Sequence, residues 1–462
     1  MSSTKSNIHL ELSERIILLR IFDNVFILFG LILVGEIFQF DYFLISSTNW
    51  YWVFVLLLYY NVFATVLEMY NLQKVAKSDQ IIQNVLVVAS LTTLFFLLTP
   101  YYTPVLPDNR MQLIYFYLAV TMSLMSWRYC YVFFVSSPRF YKTILLVGTA
   151  SEVELMVKTI TNDALTFVIT GAVITDNSEL KDVKVTIIPF DKLFQTVGEQ
   201  KVSEVIVASN SKVEFPEQIV DVLIRLLEKG VPIKEYTHVY EDLTNRVPVQ
   251  YVGKDFYKYF PFSRSNQNRL YLFFSRLLDI LLSFIGLIGL LICFPVIIIG
   301  NLIGNRGPLF YVQERVGKNG EYFKIIKLRS MVVDAEKQGA VWAQQNDPRI
   351  TLFGNFLRKS RLDEMPQFIN VLKGEMSMIG PRPERPVFVR DLSKVIPFYE
   401  VRHMIKPGVT GWAQVSTEYG ASEEDSLKKL QYDLYYIKHR SAFMDINIIF
   451  KTLSTILFYR GR

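Results

Sequence analysis

The stretch Leu357-Arg358-Lys359-Ser360-Arg361-Leu362-Asp363-Glu364-Met365-Pro366-Gln367 sets two adjacent carboxylates among three cations and runs into a proline that restricts the residue before it. Carboxylates beside guanidinium groups suit phosphate chemistry: the forks hold phosphate oxygens, and the acids bind a hard cation or attack. The plainer reading is a set of surface ion pairs. Upstream, Gly307-Pro308-Leu309-Phe310, Gln313-Glu314-Arg315-Val316-Gly317 and Lys327-Leu328-Arg329-Ser330-Met331 alternate apolar and charged residues. That alternation predicts an extended edge presenting Lys324, Lys327 and Arg329 to an anion. Downstream lie Leu372-Lys373-Gly374-Glu375-Met376-Ser377-Met378-Ile379-Gly380-Pro381-Arg382-Pro383 and Lys406-Pro407-Gly408-Val409-Thr410-Gly411-Trp412-Ala413-Gln414-Val415.

The elements that must carry these residues are partly apolar. Of 462 residues 51% are hydrophobic, 14% aromatic and only 20% charged, so part of the chain belongs in a bilayer. Runs near Ile16–Phe38, Trp50–Leu67, Ile81–Tyr101 and Leu113–Val135 each approach the ~20 residues that cross hydrocarbon, predicting a four-helix membrane bundle over residues 1–140. Arg20 and Asp23 share a face of the first run and are expected to neutralise each other. Lys74, Lys77, Arg128, Arg139 and Lys142 flank alternate ends, which puts both termini of the bundle on the cytoplasmic side.

Residues 141–262 alternate short strands (Thr143–Val147, Phe167–Ile174, Val185–Pro189, Glu204–Ala208, Pro232–Tyr236) with helices (Glu152–Thr161, Pro216–Glu228), predicting a Rossmann-like α/β domain. Its first turn, Gly148-Thr149-Ala150-Ser151, lacks the later glycines of a dinucleotide fingerprint, so a regulatory or oligomerising role is favoured over a cofactor. The third domain, residues 263–462, opens on an uncharged run. A full crossing there would carry the phosphate-suited residues outside the cell, away from the side on which the bundle's termini lie. Pro295 is expected to break a helix over about 276–304 and return it to the side it entered, as a re-entrant membrane helix. Cys130 and Cys293 lie in apolar runs and the four histidines are scattered, so no disulfide or zinc site is expected, and no compact basic run points to nucleic acid.

With the re-entrant run, these motifs resemble the polyprenyl-phosphate sugar-1-phosphate transferases in their large form, the monotopic phosphoglycosyl transferases with an N-terminal four-helix bundle; the resemblance covers about Arg276 to Arg462. It implies a membrane α-helical bundle, an α/β Rossmann-like domain and an α+β monotopic catalytic domain. It also implies that a hexose 1-phosphate passes from a UDP-sugar to undecaprenyl phosphate with release of UMP, the first membrane step of exopolysaccharide, capsule or O-antigen synthesis. In these terms Asp363 is the nucleophile and forms an aspartyl-phosphosugar. Glu364 holds Mg2+ with it or orients the pair, and Arg358, Arg382, Lys327 and Arg329 bind substrate phosphates. The location implied is the bacterial inner membrane, multi-pass, with the active site on the cytoplasmic face. Membrane lipids, a homodimer and downstream glycosyltransferases are the other expected partners. Glucose and galactose are the expected sugars. Ser416-Thr417-Glu418-Tyr419-Gly420 departs from the Asn-Gly-Arg common in small members of the family, which leaves the sugar open. Rival readings are a membrane-anchored nucleotide-sugar dehydratase, which needs a glycine-rich NAD turn, and a noncatalytic export scaffold, which has no use for Asp363-Glu364. A multispanning lipid-phosphate transferase fits poorly with so long a polar C-terminal half.

Overall fold

The structure, a computed structural model, describes residues 12–40, 42, 50–67, 69–70, 78–134, 141–163, 167–176, 178–208, 217–249, 266–335, 347–417, 420 and 422–457. Lys74, Lys77, Arg139, Glu418 and Tyr419 lie outside them. Backbone contacts divide the chain into two units, Met1–Val205 with Asp221–Ile233, and Ile206–Val220 with Lys234–Arg462.

In the first unit the four apolar runs are helices: α1 (Leu12–Phe38), α2 (Tyr51–Val66), α3 (Ser78–Leu98) and α4 (Met111–Phe134). Leu19, Ile27 and Leu31 of α1, Leu56 and Tyr60 of α2, Val85 and Phe96 of α3, and Phe116, Val120 and Leu124 of α4 form their common core. Ile17, Phe29, Phe54, Leu58 and Met122 point outward, an apolar exterior that water would not favour. By length and apolarity, Glu14–Phe38 and Ile81–Leu98 can cross a membrane, and Tyr51–Val66 is a shorter apolar helix. Asp23 is fully buried, and its partner is not Arg20. Its carboxylate accepts from Arg128 Nε at 3.0 Å, Arg128 Nη2 at 2.5 Å and the Tyr60 hydroxyl at 2.6 Å. Arg20 instead stands over the Tyr70 ring, 4.7 Å from its centroid.

Strands β1 (Lys142–Gly148), β2 (Phe167–Ile174), β3 (Glu204–Val207) and β4 (Ile233–Glu235) form a sheet of order β2-β1-β3-β4, with β1 and β2 parallel. Helices α5 (Ala150–Asp163), α6 (Leu193–Glu199) and α7 (Glu217–Glu228) are interspersed among them. The strand expected at 185–189 is reduced to one bridge, Ala172 to Ile187, and the chain already turns into a 3-10 turn at Phe190–Lys192. At the first turn the Thr149 N–H donates to Glu152 and the Ala150 N–H to Asp176. Two donors that would cradle a phosphate are therefore already held by carboxylates.

The second unit is built on α8 (Tyr236–Thr244) and on a long helix, α9 (Arg269–Gly300), whose helical backbone continues in π form through Asn305. The 37 residues from Arg269 to Asn305 are apolar enough to cross a membrane. Helical backbone runs through Pro295, so the expected break does not occur as an interruption there. One stripe, Asp279, Ser283, Leu290, Ile297, Asn301 and Asn305, is buried. The other faces are bare, with Leu291 and Ile292 71% and 74% exposed.

The stripe is polar at both ends. Asp279 accepts from the Ser377 hydroxyl at 3.0 Å and the Met378 N–H at 2.7 Å, while Asn305 donates to the Arg329 carbonyl at 2.8 Å. Against α9 lie the hairpin of β5 (Phe310–Val316) and β6 (Tyr322–Leu328), helices α10 (Leu352–Lys359) and α11 (Gln367–Lys373), and β7 (Ser377–Ile379). Beyond them come α12 (Pro386–Val395), β8 (Gly408–Thr410), α13 (Trp412–Ser416), α14 (Glu423–His439) and α15 (Ala442–Leu457). Strands β7 and β8 are parallel, and a Cβ on Gly408 would collide with the Gly380 backbone, which is why the Lys-Pro-Gly and Ile-Gly-Pro runs need glycine where they meet.

Removing Arg128 leaves Asp23 buried and uncompensated. Arg128→Met should therefore cost about 3–5 kcal/mol, most of it recovered in Asp23→Leu/Arg128→Met. Thermal unfolding of the two variants in detergent checks this; equal losses would mean that the pair contributes only packing.

Candidate active site

Asp363 and Glu364 occupy a 3-10 turn, Leu362–Glu364, between α10 and α11. The sequence makes the turn in three ways. Thr351 caps the start of α10 by accepting the Gly354 N–H, Arg361 takes a left-handed φ of 59° that redirects the chain, and Pro366 opens α11 at a position where no N–H is needed. Asn370, fully buried, then fastens α11 to the hairpin: it accepts from Ile326 N–H at 3.2 Å and donates to the Lys324 carbonyl at 2.7 Å. Arg276 of α9 donates to the Val371 and Leu372 carbonyls at 2.6 and 2.7 Å, and Gly286 leaves room for the Phe368 ring.

The two neighbouring acids have unlike surroundings. Glu364 is buried and takes three cations from three parts of the chain: Lys327 Nζ of β6 at 3.2 Å, Arg361 Nη1 at 3.2 Å, and Arg382 Nη1 and Nη2 at 3.3 and 3.2 Å. Asp363 is half-buried, and no hydrogen bond reaches its carboxylate among the described residues. Burial, and then the charge of Glu364, push its pKa up to about 6, against the pull of Lys327, Arg358 and Arg361. Burial presses Glu364 the same way, but Lys327, Arg382 and Arg361 outweigh it and hold that acid far below the usual carboxylate range. Paired carboxylates whose pKa values are driven apart are suited to different tasks. At neutral pH, Glu364 is a fixed anion locked to its cations, and Asp363 is an ionised carboxylate with free lone pairs.

Of the residues expected around a phosphate, Lys327 and Arg382 meet at Glu364, and Arg358 acts on Asp363 through its charge. Arg329 does not join them. It is buried, and its guanidinium donates to the carbonyls of Pro308, Met331 and Asn305, tying the end of α9 to the hairpin. Residues 327 and 329 share a strand parity, but β6 ends at Leu328, so the alternation no longer governs Arg329. Lys324 is exposed on the other parity. Arg361 is an addition, and its only signal in the sequence is a cation three positions before Glu364. Among the described residues, no group of three or more acidic, histidine or cysteine side chains gathers into a metal site.

The family model described as "Bacterial sugar transferase" matches residues 270–459, the stretch that holds α9 and the dyad. A Bacillus subtilis (strain 168) protein, named for undecaprenyl-phosphate N-acetylgalactosaminyl 1-phosphate transfer, is 51% identical over 144 residues, 30% of this chain and 79% of the relative. The chain belongs to the bacterial sugar transferase family, the polyprenyl-phosphate sugar-1-phosphate transferases.

Two further sugar transferases are similar. An Aeromonas hydrophila UDP-N-acetylgalactosamine-undecaprenyl-phosphate N-acetylgalactosaminephosphotransferase is 40% identical over 238 residues, 51% of this chain and 54% of the relative. An Escherichia coli (strain K12) UDP-glucose:undecaprenyl-phosphate glucose-1-phosphate transferase is 43% identical over 153 residues, 33% of each chain. The chain thus spans about half the length of the Aeromonas sugar transferase and a third of the Escherichia one.

A step that needs ionised Asp363 should weaken as pH falls through about 6, the value to which its pKa is pushed. Lys327 lowers both acids, so Lys327→Met should move the acid limb of kcat/KM to higher pH. A pH–rate profile of the two proteins checks this, and a limb that stays put or moves down excludes Asp363 as the titrating group.

Proposed function

We propose that this chain transfers a hexose 1-phosphate from a UDP-sugar to undecaprenyl phosphate, with Asp363 as nucleophile. The observation that carries the reading is the division within the dyad: three cations take up Glu364 while the Asp363 carboxylate is left open. An Asp363 oxygen attacks the β-phosphorus, the bond from that phosphorus to the bridging oxygen breaks, and UMP leaves with the bridging oxygen. A phosphate oxygen of the lipid then attacks the aspartyl-phosphosugar, and the carboxylate is regenerated. Two easier displacements replace one difficult transfer, with ping-pong kinetics as the consequence. Arg382, gripped at Glu364 but only partly buried, offers its outer face to the phosphate, and Lys327, Arg358 and Arg361 offset the charge that gathers there.

Mg2+ fits this site as an ion held mainly by the diphosphate. One or two carboxylates plus substrate phosphates make an ordinary octahedral shell, and Asp363 is the acid with oxygens to spare. Bound there, it would lower the repulsion between carboxylate and diphosphate. The relatives' names divide among N-acetylgalactosamine, glucose and galactose, so the donor proposed is a UDP-hexose or UDP-N-acetylhexosamine, wider than glucose or galactose. The product would feed downstream glycosyltransferases of exopolysaccharide, capsule or O-antigen synthesis, and a homodimer in the bacterial inner membrane is the proposed form.

A cytoplasmic active site is supported by the way α9 is held. Its 37 residues would measure ~55 Å as a straight helix, against the ~30 Å of hydrocarbon in a bilayer. Polar contacts to one unit run from Arg276 to Asn305. This supports the reading that both ends of α9 lie on the same side of the membrane.

Purified protein incubated with radiolabelled UDP-sugar and Mg2+ without lipid should release UMP and keep the label, and Asp363→Asn should do neither. UMP release with no retained label, or an unchanged variant, removes the covalent role of Asp363. Arg306→Cys, in a background of Cys130→Ser and Cys293→Ser, should react with an impermeant thiol reagent only from the cytoplasmic side. Labelling from outside the cell would place the site on the wrong face.

A further inference from the structure

The segment Pro381–Glu384 carries Arg382 to Glu364, and its sequence makes it hard to fasten. Two of its four residues are prolines, which have no N–H, so it has few donors of its own with which to be fastened. Its carbonyls do the holding instead. The Pro381 carbonyl accepts from Gly408 N–H at 2.9 Å and the Glu384 carbonyl from Val316 N–H at 3.0 Å. Between them, the Arg382 carbonyl accepts from Arg402 Nη2 at 3.1 Å and the Pro383 carbonyl from Arg315 Nη1 at 3.1 Å. Four consecutive carbonyls are thus gripped from β8, β5 and the turn Tyr399–Met404.

The two arginines are themselves held. Arg402 is buried, and it donates to Asp433 of α14 at 2.7 Å and to the Tyr399 hydroxyl at 2.6 Å. Arg315 donates to Gln313 at 2.6 Å and stands 3.8 Å from the Glu384 carboxylate. A buried guanidinium that serves both an acid and a carbonyl uses its planar fork, which an ammonium cannot reproduce. Burying such a charge is costly, and stability alone is a weak reason to do so.

We propose that Arg402 and Arg315 are positioning residues of the reaction: by fastening the Arg382 and Pro383 carbonyls they aim the Arg382 guanidinium at Glu364 and at the phosphate entering beside Asp363. The proposal rests on the reading of Asp363-Glu364 as the active site. Without the clamp, Arg382 keeps its charge but loses its fixed direction, and preorganised direction is what makes such a group effective on developing charge.

The test is a double-substitution cycle on the full-length protein, with UMP release as the readout. Arg402→Lys should lower kcat about 10-fold or more, the scale of one hydrogen bond from a charged group. In an Arg382→Met background the same change should cost little, because the group it aims is already gone. Arg315→Lys should behave alike, and thermal midpoints identify any variant that fails to fold. Equal losses with and without Arg382, or an unchanged kcat, overturn the proposal, as does loss of the folded state in both lysine variants.

The same cycle read on UDP affinity by calorimetry keeps the test independent of turnover. Asp363→Asn assayed in parallel separates the two ideas. Retained UMP release by that variant with a coupled cycle removes the nucleophile and leaves the clamp, whereas its loss with an additive cycle removes the clamp alone.

Discussion

A carboxylate taken out of water must be matched by positive charge, and Glu364 is matched three times. The cations come from β6, from the turn that carries the acid, and from the Pro381–Glu384 segment. Meeting at one carboxylate, they tie together a hairpin, a helix–turn–helix and a loop. The same pairing sets the neighbouring acid apart. Asp363 is near enough to feel the cations and the buried anion, yet it is spared their hydrogen bonds.

The second constraint is the long helix α9. Its apolar surface calls for lipid on most faces, while Arg276, Asp279, Asn301 and Asn305 call for polar partners along one stripe. Both demands are met when the catalytic unit lies along the stripe and hydrocarbon covers the rest. The dyad turn is part of this contact, since Gly286 admits Phe368 and Gly289 lies beside Met365. Attachment to the membrane and alignment of the site are therefore carried by the same helix. In the bundle, Asp23 and Arg128 answer the rule that also governs Glu364, one cation in place of three.

Much of the layout could be read from residue order, because the signals were local. Apolar runs fell where α1 to α4 and α9 lie, of which α1, α3 and α9 are long and apolar enough to cross a membrane, and Phe167–Ile174 coincides with β2. Signals that depended on a distant partner went astray. Asp23 was matched to Arg20 on its own helix, but its partner is 105 residues away. Arg329 looked like Lys327 because the two alternate along one strand, yet the strand stops between them and Arg329 turns to the carbonyls at the end of α9. Pro295 was expected to interrupt a helix that continues through it.

By itself the sequence determined that the chain has long apolar helices, an α/β segment, and a dyad set among cations ahead of a proline. Each of these is a property of residues close together along the chain. Only the tertiary structure decided which of two adjacent carboxylates is engaged and which is open. Asp363 and Glu364 share almost the same sequence neighbours, and what distinguishes them arrives from 18 and 37 residues away. The grip of Arg315 and Arg402 on the Arg382 segment was decided in the same way. Carbonyls carry no residue identity, so no reading of side-chain types could have paired them with their donors.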